Sequence, residues 1–205
     1  MPREKKTPPD LRRVTDPQTL RALSHPVRLA LLEVLTVEGP LTATRAGELL
    51  GESPTTCSFH LRQLAKYGFV VEAGGGPGRT RPWKLAHLGW TTDSSAGDAA
   101  AGVASDALGQ LTLQRYVDRH DQRTRTRDAY PVPWRGIGEQ SQTVWWVTPS
   151  EAADLQDELR DLFFRFRERL LDPSTRPAGS GPVEVVAFTH LFSVPDGYAD
   201  PDPAG

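Results

Sequence analysis

The chain has 205 residues, one cysteine and a net charge of −2, with 38% apolar and 24% charged residues, an ordinary composition for a soluble protein with a real core. A single cysteine excludes an internal disulfide framework and fits a reducing, cytoplasmic setting, and no uninterrupted apolar run is long enough to cross a bilayer, so no membrane partner is expected. The charge is uneven: residues 1–92 carry 13 Lys and Arg against 8 Asp and Glu, while residues 93–205 carry 11 against 18, which points to an anionic partner for the first half only.

Residues 1–15, with "MPREKKTPPDLRR", read as a disordered basic tail that lacks the apolar run of a secretory leader. "DPQTLRALS" opens a helix with Asp16 as N-cap and Pro17 at the first helical position. "SHPVRLALLEVLTVEGP" repeats the device: Ser24 or His25 caps, Pro26 starts and Gly39-Pro40 stops. A short helix follows in "LTATRAGELLG", capped by Thr42 and ended at Gly51. "ESPTT" is a tight turn, and a longer helix over residues 54–67 follows it. "FVVEA" and "RPWKLA" flank "GGGPGRT" as a hairpin, so residues 16–92 have the order of a winged helix-turn-helix.

On a helical wheel for residues 54–67, Leu61 and Leu64 fall beside Cys57, with His60 at the margin of that stripe. Thr55, Phe59, Arg62 and Lys66 fall opposite. The second face is suited to a major groove. Arg62 and Lys66 fit phosphates or guanine edges, Gln63 fits adenine, and Phe59 fits a thymine methyl, unless that ring folds into the core. The hydroxyls of Thr55, Thr56 and Ser58 either cap the helix or reach phosphates. In the wing, covering residues 69–85, Arg79 and Arg81 are placed to track the backbone or enter the minor groove. "GGGPGRTR" lacks the Gly-Lys-Ser/Thr ending of a nucleotide-binding loop, and no helix follows it.

Leu-Ser-His-Pro-x-Arg at residues 23–28, Glu-Leu-Leu-Gly at 48–51, Ser-x-His-Leu-x-x-Leu at 58–64 and Gly-Phe-Val at 68–70 together resemble the DNA-binding domain of ArsR-type winged-helix regulators. The resemblance spans residues 16–88. It implies a cytoplasmic homodimer that binds double-stranded operator DNA and usually represses. Many relatives sense metals through cysteines before the turn, but here that segment is "LTATRAGELL". A second kind of site begins with an Asp-x-His pair, which Asp118 and His120 supply, yet Pro131 and Trp134 stand where the remaining ligands belong. Zinc takes about four ligands, and Cys57 with His60 gives two, so no metal and no cofactor is expected. A metal- or redox-responsive sensor, or a winged-helix protein-interaction module, remains the alternative.

Beyond residue 92 a helix is expected from about 99 to 127, with Ala104, Leu108 and Leu111 on one face. "TVWWVT" reads as a strand, "TPSE" as a capping box at Thr148, and residues 149–171 as a helix with the stripe Leu155, Leu159, Leu162, Phe163, Phe166 and Leu170. "VEVVAFTHLF" reads as a second strand. Trp134, Trp145 and Trp146 are expected in a core or lining a pocket. No catalytic triad, carboxylate pair or cofactor fingerprint appears, so an enzyme is not expected. The expected fold is mainly α with a small β-wing, plus a C-terminal α/β extension with dimerisation helices. Residues 93–172 form the helical dimerisation region, and 173–205 a linker, a short strand and an acidic tail. An effector or protein partner at the C-terminal half stays open.

Overall fold

Four capped helices organise the N-terminal part of the computed structural model, which describes residues 11–74, 81–92, 99–138, 141–187 and 189–190. Helix α1 spans Pro17–Leu23, and the Asp16 carboxylate accepts the Thr19 N–H at 2.8 Å. Helix α2 spans Pro26–Glu38 and is capped by His25, whose Nδ1 accepts the Val27 N–H at 3.2 Å. Ser24 is spent elsewhere, donating its hydroxyl to the Leu20 carbonyl at 2.9 Å. Thr42 caps α3 (Ala43–Leu50), which Gly51 ends in the left-handed region. Ser53 caps α4 (Pro54–Lys66), one residue shorter than expected, because Tyr67 is its C-cap.

These helices close around one apolar core that includes Leu20, Leu29, Leu31, Leu35, Cys57, Leu61 and Leu64. Helix α3 packs on α4, and α2 lies against both. The turn between α3 and α4 comes so near that a Cβ on Gly47 would stand 2.6 Å from the Glu52 carbonyl oxygen. The wing follows: β2 (Val70–Glu72) pairs antiparallel with β3 (Trp83–Leu85). Leu41 exchanges both backbone hydrogen bonds with Trp83, at 3.0 and 2.8 Å, which ties the wing to the entrance of α3.

The expected disordered tail over residues 1–15 is corrected from residue 11 onward; residues 1–10 lie outside the described residues. Leu11–Val14 is strand β1, paired in parallel with β4 (Gly89–Thr92). Val14 is buried in the core, and the Arg12 guanidinium donates to the Tyr67 carbonyl and lies over the Phe69 ring at 4.6 Å. Burial and a cation–π contact therefore order a segment whose charge suggested a loose tail.

Helix α5 (Ala99–Arg125) buries Ala101, Ala104, Ser105 and Leu108 and packs on α1. Arg115 and Arg119 both reach the Glu33 carboxylate on α2, at 3.0 Å from Arg115 Nε and 2.8 Å from Arg119. The chain divides into compact units at Arg135/Gly136, so α5 belongs with the winged helix and not with the region 93–172 as a whole. A short helix, α6 (Val132–Arg135), ends this unit.

The second unit has its capping box as expected, with Thr148 and Glu151 bonded reciprocally at the start of α7 (Pro149–Phe163). The single helix 149–171 is corrected. The chain turns at 164–167 before α8 (Glu168–Leu171), and i→i+3 bonds such as Arg165 N–H to Leu162 O replace the α-helical ladder there. Neither "TVWWVT" nor the described residues of "VEVVAFTHLF" form a β-strand. Among the described residues this unit buries no side chain: Trp146 is 100% exposed, and Leu162, Phe163, Phe166 and Leu170 are exposed as well. The expected core positions for Trp145 and Trp146, and the buried α7 stripe, are thus not formed within one chain. Trp134, in the first unit, is half-buried.

Candidate nucleic-acid interface

Helix α4 separates two kinds of side chain. Cys57, Leu61 and Leu64 face inward and are almost completely buried, and His60 joins them at 8% exposed. Thr55, Arg62 and Lys66 are exposed, Phe59 is 52% exposed, and Thr56, Ser58 and Gln63 are half-buried. The inward stripe fixes the rotation of the helix, and that rotation delivers the outward set to solvent. Phe59 thus stays out of the core, its ring set edge-on to His60 at 5.1 Å between centroids.

Two of the hydroxyls are engaged locally. Ser53 Oγ accepts the Thr56 N–H at 3.0 Å and lies 2.8 Å from Thr56 Oγ1, so Thr56 takes part in the cap. Arg62 donates to Ser58 Oγ at 3.1 Å, one helical turn back. Both contacts are exposed. Arg79 lies outside the described residues. Arg81 is exposed but turned across the wing onto Glu72 at 3.1 Å, an exposed pair of small energetic weight.

Sequence reasoning missed a cluster behind α4. The His25 and His60 rings lie 4.4 Å apart, centroid to centroid. The Nε of Arg28 and the Nδ1 of His60 are both buried without a hydrogen-bond partner. Burial pulls the pKa of His60 down, and the neighbouring His25 and Arg28 pull it further, while Glu52 opposes them. Burial and then Arg28 do the same to His25, again against Glu52. Burial, followed by Glu52, pushes the Cys57 thiol up, which makes it a poor thiolate. Among the described residues no three His, Cys, Asp or Glu side chains are placed to hold a metal ion. The spacing His-Pro-x-Arg in "SHPVR" signalled only that His25 and Arg28 share one end of α2, and nothing in it pointed to His60.

A cleft of about 20 Å³ lies between Leu32, Phe69, Leu85 and Trp90, room for roughly one water. No helix among the described residues is long and apolar enough to cross a membrane.

Helix, turn, outward-facing second helix and β-wing define a winged helix-turn-helix of the kind found in transcription regulators. Residues 23–73 match a family model described as a helix-turn-helix domain, on the same helices that carry the sequence resemblance. No curated protein matches the chain. Solved structures with likeness include a homodimeric winged helix-turn-helix DNA-binding domain from Mycobacterium bovis, titled a possible ArsR-family transcriptional regulator. It is 16% identical, with 62% of this chain and 85% of that one covered and a TM-score of 0.33. A MarR-family protein from Mycobacterium tuberculosis in complex with salicylic acid is 17% identical, with 72% and 87% covered and a TM-score of 0.28.

Proposed function

We propose that the chain is a homodimeric transcription regulator, acting as a repressor, that reads a pseudo-palindromic operator with α4 in the major groove and the wing on the flanking backbone. The observation that carries this reading is the two-sided α4: Cys57, Leu61 and Leu64 inside, with Thr55, Phe59, Arg62 and Lys66 outside on the second helix of the turn. In this reading Arg62 and Lys66 make phosphate or guanine contacts, Gln63 reads adenine, and Phe59 meets a thymine methyl. Thr55, Thr56 and Ser58 hold phosphates near the α4 N-terminus, where free N–H groups also point. Arg81 leaves Glu72 for the backbone, and Arg79 is assigned the same task.

Support for a dimer comes from α5. Its inner face is buried on α1, while Val103, Leu113 and Val117 are exposed, and helical spacing puts these three on the opposite face. Two-fold pairing would set the half-sites about 34–36 Å apart, one helical turn. Repression is what the family resemblance implies.

Genomic DNA captured by the purified chain at two salt concentrations tests the reading. A salt-sensitive two-fold symmetric motif is expected, together with loss of the dimer in Leu113→Glu at micromolar concentration. Capture of sequence-independent DNA only, or of none, would overturn operator recognition. A reporter placed behind the recovered motif distinguishes repression from activation.

A further inference from the structure

Behind the DNA-facing side of α4, the His25 ring performs two tasks at once. Its Nδ1 lone pair accepts the Val27 N–H and so caps α2, and its face packs on the buried His60 ring of α4 at 4.4 Å. The cap requires an unprotonated Nδ1, which places the proton of the neutral ring on Nε2. An imidazolium cannot accept that bond, and it would stand at the positive end of the α2 dipole.

We propose that the His25–His60 contact, with Arg28 beside it, is a proton-sensitive latch that seats α4 on α2 when both rings are neutral and releases it when they become charged. The groups acting electrostatically on the pair come from each side of the contact. Arg28 faces it from α2 and Glu52 from the turn before α4, while Cys57 lies on the same inner face of α4. Tyr67, at the end of α4, acts on Arg28. Arg28 forms no ion pair with Glu52, and its buried Nε has no partner, so a new positive charge here meets an uncompensated one. Among the described residues Glu52 alone favours protonation, and it is exposed.

The direction of the pH effect follows. Both imidazoles are held below their ordinary value of about 6.5, so a proton binds the unlatched state more readily than the latched one. The latch is fully closed above about pH 6.5 and weakens as the pH falls below it. Glu52→Gln removes the one group among the described residues that favours the protonated latched form, and so it enlarges the acid opening. Arg28→Gln removes a repelling cation and reduces it. The consequence for DNA, weaker binding in acid, rests on the proposed function; the latch itself does not.

Amide hydrogen exchange on the full chain at pH 7.5 and 5.0, corrected for the intrinsic pH dependence of exchange, tests the latch without DNA. Protection at residues 60–66 of α4 should fall by about tenfold more than protection at residues 104–115 of α5, the size of a local opening linked to a proton. The difference should grow in Glu52→Gln and shrink in Arg28→Gln. Equal losses in α4 and α5, or a difference that neither variant moves, would overturn the proposal. A parallel arm follows wild-type binding to a mixed-sequence 30-base-pair duplex by anisotropy at both pH values. Tighter binding in acid, with α4 protection unchanged, would mean that these histidines contact phosphate instead of latching. Pronounced α4 opening with no DNA binding at either pH would leave the latch standing and overturn the DNA reading.

Discussion

Gly47→Ala puts a methyl group where the turn between α3 and α4 has no room. The new Cβ would lie 2.6 Å from the Glu52 carbonyl oxygen and 3.4 Å from the Pro54 nitrogen. Both are backbone atoms, so no side chain can swing away, and the turn that aims α4 must move. Forcing an extra carbon into a packed site costs about 1–3 kcal/mol, and alanine's better helix propensity returns up to about 1 kcal/mol. A net loss of about 1 kcal/mol is expected, a fall in Tm of roughly 4 °C for a domain of this size. Gly109→Ala is the matched control: it sits within α5 with nothing inside 4 Å, so only the propensity gain operates and Tm should rise. Urea unfolding of both full-length variants, read as midpoints at constant slope, gives the comparison. Midpoints moving in the same direction, or a Gly47→Ala protein as stable as the wild type, would refute the close-approach argument.

Arg62→Ala should lower the slope of log affinity against log salt by about 1 on the captured operator; an unchanged isotherm would remove Arg62 from the interface. Cys57 should resist an aromatic disulfide reagent in the native protein at pH 8 and react at once in denaturant, since it is wholly buried and its thiol is pushed up. Prompt native reaction would contradict its place in the core and revive the redox-sensor reading. Glu33→Ala should speed amide exchange in residues 115–125 of α5 while leaving α3 unchanged, because Arg115 and Arg119 lose their shared partner. Equal acceleration everywhere would mean that Glu33 supports the whole unit and not the far half of α5.

The first four helices were legible because their ends are written locally. Asp16-Pro17, Pro26 after His25 and Thr42 each combine a side-chain acceptor or a fixed φ with the residues immediately following, whereas the α4 cap fell to Ser53 and not to the hydroxyls of Thr55, Thr56 or Ser58. The inner stripe of α4 was equally legible from the spacing of Cys57, Leu61 and Leu64. Strand β1 was not, since "LRRV" is short and basic, and what orders it lies far along the chain at Gly89–Thr92, Tyr67 and Phe69. The reverse error occurred at residues 143–148. Val, Trp and Thr are good strand formers, but a strand exists only with a neighbour to share its ladder, and within this unit none is present among the described residues. The α7 stripe has the right period for burial, yet amphipathicity states only that a partner surface is wanted, not that the same chain supplies it. The His25–His60 contact escaped notice because ring proximity between separate helices leaves no trace in spacing.

The parallel ladder of β1 and β4 bears on the order of events during synthesis. Parallel neighbours cannot be closed by a hairpin, so β1, made well before its partner, must wait until Gly89–Thr92 has been made. Only then is β1 fixed, and with it the Arg12 side chain that holds the Tyr67 carbonyl at the end of α4. Helix α4 can form its turns earlier from local contacts, but its last carbonyl is secured by a residue made more than fifty positions before it. A nascent chain stalled before Trp90 would therefore carry an α4 whose end is still frayed, with the α5 side of the core also still to come. The clasp separates a helix that has merely formed from one that is held at its final angle.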